Sequence, residues 1–506
     1  MMHKQNGSNK LRIAVMVLLL AMLIPMVVSC NNSNKGNEVD TTEEAGSTGE
    51  TTVTTEEQST VSLEDLNFDG EEIRVLLRSD EQFRREWNME TLSDSLSQEV
   101  FYRNAEVEKA LGVDINFIVK DQGNNCENIN ASITAAGMAG TGDYDVINHY
   151  AAYATSPVLM EYYKDWLSSD LTYLDLDKAW WNSNFRDAAE SFGKLFVMVG
   201  DVNLSVYDRS IVTYFNKDLC ADYEINADEL YETVLAGNWT FDVLYNYVKD
   251  VYTDLDGDEK KSQGDFYGLT AIAGSEDVDG FLYSFDCKLT LVDDQGNHSL
   301  IGGSELDKLD DALNKVLDLY KQSGAFRAIG TWNNYLVFTE CRALFNIDVI
   351  YHYASGNNLM RNMKNEYGMI PVPKYNAAQS EYYSAVQDAH NVMAIINHGE
   401  QNYEAVSAFL ELACRRTYET VRPYYFEKMV KTKYLKDAMS GKIFDIILAS
   451  TRWDWGDVYS FSVGQPRNML WRVPSTTSST VIVGYESNAE TIIYEYSNFD
   501  RWLKLQ

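Results

Sequence analysis

The sequence predicts an α/β protein of two large lobes or domains. Three observations predict it. The chain has 506 residues, and a single hydrophobic core stops growing at roughly 250–300. From Glu71 the pattern runs strand, helix, strand. And the stretch Gly193–Leu219 carries two short apolar runs around a polar gap of ligand size.

The first lobe follows from the second observation. Ile73, Val75, Leu76 and Leu77 read as a buried strand. Ser95 and Gln98 then have capping-box spacing before a helix that runs through Val100, Val107 and Leu111 and stops at Gly112. Val113, Ile115, Phe117 and Val119 alternate as a second strand, and so short a βαβ unit makes its two strands parallel. A small-residue helix around Ala131–Ala139 precedes another strand at Asp143–Ile147.

In Gly193–Leu219 the run Leu195–Val199 breaks at Gly200-Asp201 and resumes at Ile211, Val212, Tyr214 and Phe215. This predicts two strands, with Asn216-Lys217-Asp218 starting a helix. Asn226–Tyr252 reads as two helices around Gly237–Thr240, with Thr240 as N-cap. Glu305–Gln322 is an amphipathic helix, Ala343–Ile347 and Val392–Ile396 are strands, and helices dominate from Glu400 to Ala449.

The N-terminus is a leader. Lys4, Lys10 and Arg12 form a basic region, Ile13–Val28 is apolar, and Val27-Val28-Ser29-Cys30 resembles a bacterial lipobox, with Cys30 as the lipidated residue after removal of 1–29. Asn31–Ser62 is polar and Thr/Glu-rich, too poor in apolar residues to fold, and reads as a disordered tether. The expected lobes are 63–198 with 388–450, and 199–387 with 451–506.

Net charge is −34, which argues against nucleic acid or an anionic membrane surface as partner. Besides Cys30 there are Cys126, Cys220, Cys287, Cys341 and Cys414. The odd count and the lack of CxxC spacing imply neither a disulfide framework nor a zinc site. No G-x-S-x-G, H-E-x-x-H, P-loop or G-x-G-x-x-G motif is present, which speaks against an enzyme; no cofactor is required.

One loop has metal-ligand spacing. Asp254, Asp256, Asp258, Lys260 through its carbonyl, and Asp265 fall at positions 1, 3, 5, 7 and 12 of a Ca²⁺-type loop. Its glycine is at position 4 rather than 6 and its last ligand is Asp rather than Glu. A structural Ca²⁺ site and an acidic solvated loop both remain open.

Aromatic residues make up 12% of the chain. Sugar rings pack their C–H faces on aromatic planes and need carboxylate or amide partners for their hydroxyls. Stretches that combine the two supply the candidate ligand-binding residues Trp87, Asp201, Asn203, Trp332, Asp388, His390, Trp453 and Trp455. Any single Trp among them can equally be a core residue.

Four stretches resemble motifs of the extracellular solute-binding proteins, family 1 type, of bacterial ABC importers. The GK…YFNKDL run of Gly193–Leu219 is similar to the segment where that family first passes between lobes. GDYDVI before His149, the Asp-rich loop before Tyr267-Gly268-Leu269, and YGMIPVPK at Tyr367–Lys374 are the others. Gly237–Thr240 matches the family's helix start without its proline. The resemblance implies a two-lobed periplasmic-binding-protein-like fold, each lobe a mostly parallel sheet flanked by helices, with a hinge and an interlobe cleft and with Tyr150 and Tyr153 at a strand end in that cleft. It also implies a monomeric, lipid-anchored receptor on the extracellular face of the cell membrane, handing an oligosaccharide or other small molecule to ABC permease subunits. A peptide ligand, or a secreted glycan-acting lipoprotein enzyme, is the alternative.

Overall fold

The first sheet grows outward from the βαβ unit. A computed structural model describes residues 62–88, 95–272, 275–328, 334–350, 360, 363–399, 401–426, 438–467 and 481–506. The leader 1–29, Cys30, the tether up to 61 and Trp332 lie outside the described residues. β1 (Glu71–Arg78) and β2 (Val113–Lys120) run parallel, in register from Glu71 opposite Val113 to Arg78 opposite Lys120. The helix Ser95–Leu111 connects them and ends at Gly112, whose φ of +61° suits glycine.

β3 (Val146–Tyr150) adds in parallel to the other side of β1. β13 (Asn391–Ile395) returns from far along the chain and pairs antiparallel with β3, giving the order β13-β3-β1-β2. Val75, Leu76, Val146, Ile147 and Ile395 are fully buried. Near-continuous apolar runs of this kind are what a sheet covered on both faces requires.

The second sheet has six strands in the order β11-β4-β10-β6-β5, with β9 beside β6. They are β4 (Ile211–Asn216), β5 (Tyr252–Thr253), β6 (Phe266–Ile272), β9 (Ala325–Ala328), β10 (Ala343–Val349) and β11 (Tyr367–Ile370). β6 is parallel to β10 and to β9, but β4 runs antiparallel to both β10 and β11. The expectation of a mostly parallel sheet therefore holds in the first lobe only; the second is mixed. β4 comes directly off the crossing between lobes rather than from a βαβ unit, so no crossover helix forces it parallel. Two small sheets complete the set: β7 (Thr290–Val292) with β8 (His298–Leu300), and β12 (Ser384–Ala385) with β14 (Thr451–Arg452).

Leu195–Val199 is buried but is not a regular strand. Only Met198 exchanges backbone hydrogen bonds with a strand, Met393 of β13, at 2.9 and 2.8 Å. The Leu195 amide turns to the Asp165 carboxylate and its carbonyl to Trp166, so the segment's backbone groups are satisfied by loops. The helix pair after Asn226 forms as expected. The Asn226 side chain accepts from the Asp228 and Glu229 amides to cap Ala227–Leu235, whereas the Thr240 hydroxyl makes no capping bond to Phe241–Val248.

The lobe ranges divide differently in two places. The helix Ala438–Ala449, expected with the first lobe, packs on β11 and on the helix Ala227–Leu235, where Tyr231 Oη meets Ser440 Oγ at 2.6 Å. Its buried Ile443, Phe444 and Ile447 supply the apolar face. The segment after Thr451 touches both lobes. The helix Trp455–Val458 packs on the first-lobe helices Ala151–Ala154 and Ser183–Ala189, while Val481–Leu503 packs on β8. The five described cysteines are free. No helix among the described residues is long and apolar enough to cross a membrane.

Candidate functional site

Three segments connect the two large sheets: Gly200–Ser210 into β4, Ala385–His390 into β13, and Ser450–Val458 through β14. The first two meet at Glu86, which is 1% exposed. Its carboxylate accepts from Asn148 Nδ2 of β3 (2.7 Å), from the Ser205 amide (3.0 Å), from Asn203 Nδ2 (3.4 Å) and from Asn391 Nδ2 at the start of β13. Asn203 also donates to Asn148 Oδ1 at 2.8 Å, and Ser205 Oγ accepts the Asn391 amide at 3.0 Å. Burial raises the Glu86 pKa against these stabilising bonds. The hub's side chains bond largely to one another, although Asn391 Oδ1 is buried without a hydrogen-bond partner.

Trp87, expected in the cleft, is 0% exposed and stacked on Phe409 with ring centroids 5.7 Å apart. It is a core residue, drawn inward because the helix Tyr403–Arg416 supplies an apolar surface for so large a ring. Asn203 likewise belongs to the buried hub, although its residue also borders a cavity.

At the carboxyl end of β3 a small cavity of about 50 Å³ lies between the lobes. It brings together Tyr153, Asp388, His390 and Trp453 from the sequence reading, with Tyr283 from the helix Ser275–Ser284 and Arg467. Tyr150 stands beside it, its hydroxyl donating to Asp388 Oδ1 at 3.4 Å and its ring edge-on to Tyr153 at 5.0 Å. His390 Nδ1–H donates to the Gln387 carbonyl (2.9 Å) while Nε2 accepts from Trp453 Nε1 (3.2 Å). That arrangement needs a neutral ring, and burial holds its pKa down to about 4. Arg467 faces Asp279, Asp388 and Asp457 at once. Desolvation pushes the Asp279 carboxyl upward, while the three carboxylates raise the Arg467 pKa.

Two larger grooves flank this cavity. One, of about 700 Å³, runs from Asn184, Asp187 and Phe192 on the first lobe to Tyr283, Lys288 and the β7–β8 hairpin, with Tyr383, Arg452 and Trp453 on its floor. The other, of about 540 Å³, is lined by Trp181, Asp201, Tyr207 and Arg422, and shares Asn184 with the first. Asp201 accepts from Tyr207 Oη (2.6 Å) and Arg422 (3.1 Å); burial raises its pKa to about 6, opposed by Arg422. Of Tyr283, Tyr383, Arg452 and Trp453, which line the larger groove, only Trp453 was legible in sequence. The other three sit in no motif, and tertiary folding alone brings them together.

Trp455, also expected at the site, is 4% exposed and stacks on His298 at 3.7 Å. It forms a wall rather than a platform. Behind it Ser191, His298 and Asp500 stand in a row, with His298 Nδ1 at 2.6 Å from Asp500 Oδ1. Ser191 Oγ is 3.2 Å from Nε2 but also 3.5 Å from Nδ1. The hydroxyl therefore lies beside the ring edge and not on the Nε2 lone pair, and the stacked ring cannot swing to meet it. Activating a serine needs that lone pair. The trio instead clamps the helix Val481–Leu503 to the hairpin.

In the Asp-rich loop, oxygens of Asp254, Asp256 and Asp265 come within 4.8 Å of one another. Asp258 turns its carboxylate to the Lys260 amide at 2.8 Å and stays outside that group, and the Lys260 side chain is exposed. Asp265 is fully buried and accepts from the Leu255 and Ser262 amides.

No protein-family model matches this sequence, and no curated protein matches it. Solved structures do. The sugar-binding protein MalE of Xanthomonas citri aligns with a TM-score of 0.53 at 12% identity, over 86% of this chain and 99% of its own. An ABC transporter solute-binding protein of Thermotoga lettingae bound to α-D-tagatose gives 0.51 at 12%, over 86% and 100%. An ABC substrate-binding protein of Listeria monocytogenes in complex with cycloalternan gives 0.50 at 13%, over 86% and 100%.

Proposed function

The chain has the two-lobed α/β fold of ABC-importer solute-binding proteins, and from that premise we propose that it is a solute-binding receptor that closes its lobes over an oligosaccharide. The observation that supports this reading is the interlobe groove itself. Half-buried Tyr283, Tyr383 and Trp453 line it together with Asn184 and charged side chains, and a volume of about 700 Å³ is in the range of small-molecule sites. Ligand contacts from both walls would stabilise the closed arrangement by their differential affinity for it. The lipidated Cys30, the tether, and delivery to permease subunits complete the proposal.

Thermal stability against sugar and peptide panels tests it. A ligand at about 100 times its Kd stabilises by roughly 2.7 kcal/mol, so a rise in Tm with an oligosaccharide is expected. A response to peptides and to no sugar would replace the carbohydrate by a peptide ligand.

The Asp-rich loop fits a Ca²⁺ ion through Asp254, Asp256 and the buried Asp265, hard oxygen donors suited to that cation. Calcium added after chelation should raise Tm, and Asp256→Ala should abolish the rise. An unchanged Tm would leave the loop as a solvated surface.

A further inference from the structure

Resting on the carbohydrate reading, we propose that the groove is specific for an acidic sugar, a uronic-acid oligosaccharide whose carboxylate is read by Arg452. The starting point is charge. The chain carries 76 acidic and 42 basic residues, and several of its arginines are engaged with carboxylates: Arg74 with Asp145, Arg186 with Asp177, Arg327 with Asp277, Arg422 with Asp201 and Arg467 with Asp279. Arg452 has no such partner. Among the described residues its guanidinium donates to the Thr451 carbonyl at 3.0 Å and lies 4.9 Å over the Tyr383 ring, with no carboxylate within 4 Å. That leaves most of its five N–H donors unspent.

Its location gives the free guanidinium a use. Arg452 lines both the small cavity and the large groove, beside Trp453. Three of the groove's four acids are already committed: Glu190 to Arg186, Asp286 to Lys308, and Asp454 to the Leu289 and Thr290 amides. Only Asp187, Lys288 and Arg452 remain as charges without a partner among the described residues there. Two cations without a carboxylate partner, Lys288 and Arg452, thus face the groove of a strongly anionic protein. The remote charges of the surface are screened over about 8 Å at physiological salt, so the near ones decide recognition.

Arg452 is also held in place. Stacking on Tyr383 and the bond to Thr451 fix the plane of the fork before any ligand arrives, and a planar guanidinium matches a carboxylate bidentately. Trp453 next to it offers an aromatic plane for the ring that bears the carboxylate.

The test is calorimetric titration at pH 7 with trigalacturonate, its methyl ester and a neutral maltotriose. The acid is expected to bind on the order of tenfold to a hundredfold more tightly than the ester, the range of one charge-assisted hydrogen-bonded pair. Arg452→Gln should remove that preference, Arg452→Lys should keep part of it, and rising salt should weaken it. The half-exposed side chain makes unfolding of these variants easy to check by Tm. Equal binding of acid and ester, or a preference that survives Arg452→Gln, overturns the proposal. Binding of maltotriose alone overturns it too while leaving the carbohydrate reading standing. Failure of every sugar overturns both.

Discussion

The hub at Glu86 and the groove at Arg452 are both polar, both between the sheets, and built on opposite accounting. At the hub, Asn148, Asn203, Ser205 and Asn391 converge on one buried carboxylate and bond largely to one another. In the groove, Arg452 and the aromatic faces of Trp453 and Tyr383 stand half-exposed with their bonding capacity open. The difference teaches how to tell scaffold from site: a polar group whose partners all lie within the protein holds the fold, and one left unspent on a concave wall is available to a ligand.

Replacing residues on each side would sharpen or break that contrast. Trp87→Ala should cost about 3–5 kcal/mol of stability, as large-to-small changes in packed cores do, while the folded fraction keeps its ligand affinity. Denaturant titration measures the first and calorimetry the second. A normal stability with lost binding would return Trp87 to the site.

Glu86→Ala strands three amide side chains and a backbone N–H in the interior, at about 3 kcal/mol. If urea unfolding shifts by less than about 1 kcal/mol, the hub is not what fixes the crossings.

Glu411 provides a pH test of scaffold polarity. It accepts from Trp180 Nε1 and Trp181 Nε1 at 2.9 Å each, and burial raises its pKa from 4.5 to about 7. A raised folded-state value means its stabilising contribution is full below about pH 4.5 and is lost as pH rises through about 7. The loss is on the order of 3 kcal/mol. The stability gap between the native protein and Glu411→Gln should therefore narrow across that window. A gap independent of pH would show that Glu411 titrates normally.

Trp453→Ala is expected to have the smallest effect on folding, about 1–2 kcal/mol for a partly buried ring, and to weaken sugar binding by about tenfold or more. Unchanged affinity would move the ligand away from Arg452 and Trp453.

The first lobe was readable because its signals are local. Capping-box spacing, the glycine stop at Gly112 and the alternation Val113–Val119 each act within a few residues, and the parallel pairing of β1 and β2 follows from them. The second sheet was less so: its mixed direction depends on how β4 arrives from the crossing, which no local pattern encodes. The same limit governs the site. Tyr150, Tyr153, Asp388, His390 and Trp453 meet around one cavity and its rim. Trp87 and Trp455 carry the same residue type in the same kind of stretch and went to the interior, because a tryptophan's destination is set by the surface that folds over it. Arg452 gave no signal at all; its meaning comes from the carboxylates that are not beside it.

The Glu86 hub also constrains the order in which the molecule can assemble. Asn391 lies 305 residues after Glu86, and β13 that follows it is the strand that completes the first sheet. Until that far segment has been synthesised, Glu86 lacks one of its partners and β3 has an open edge. A chain whose first lobe closes only through so distant a contact should fold slowly, remaining without its finished N-terminal lobe for most of its synthesis.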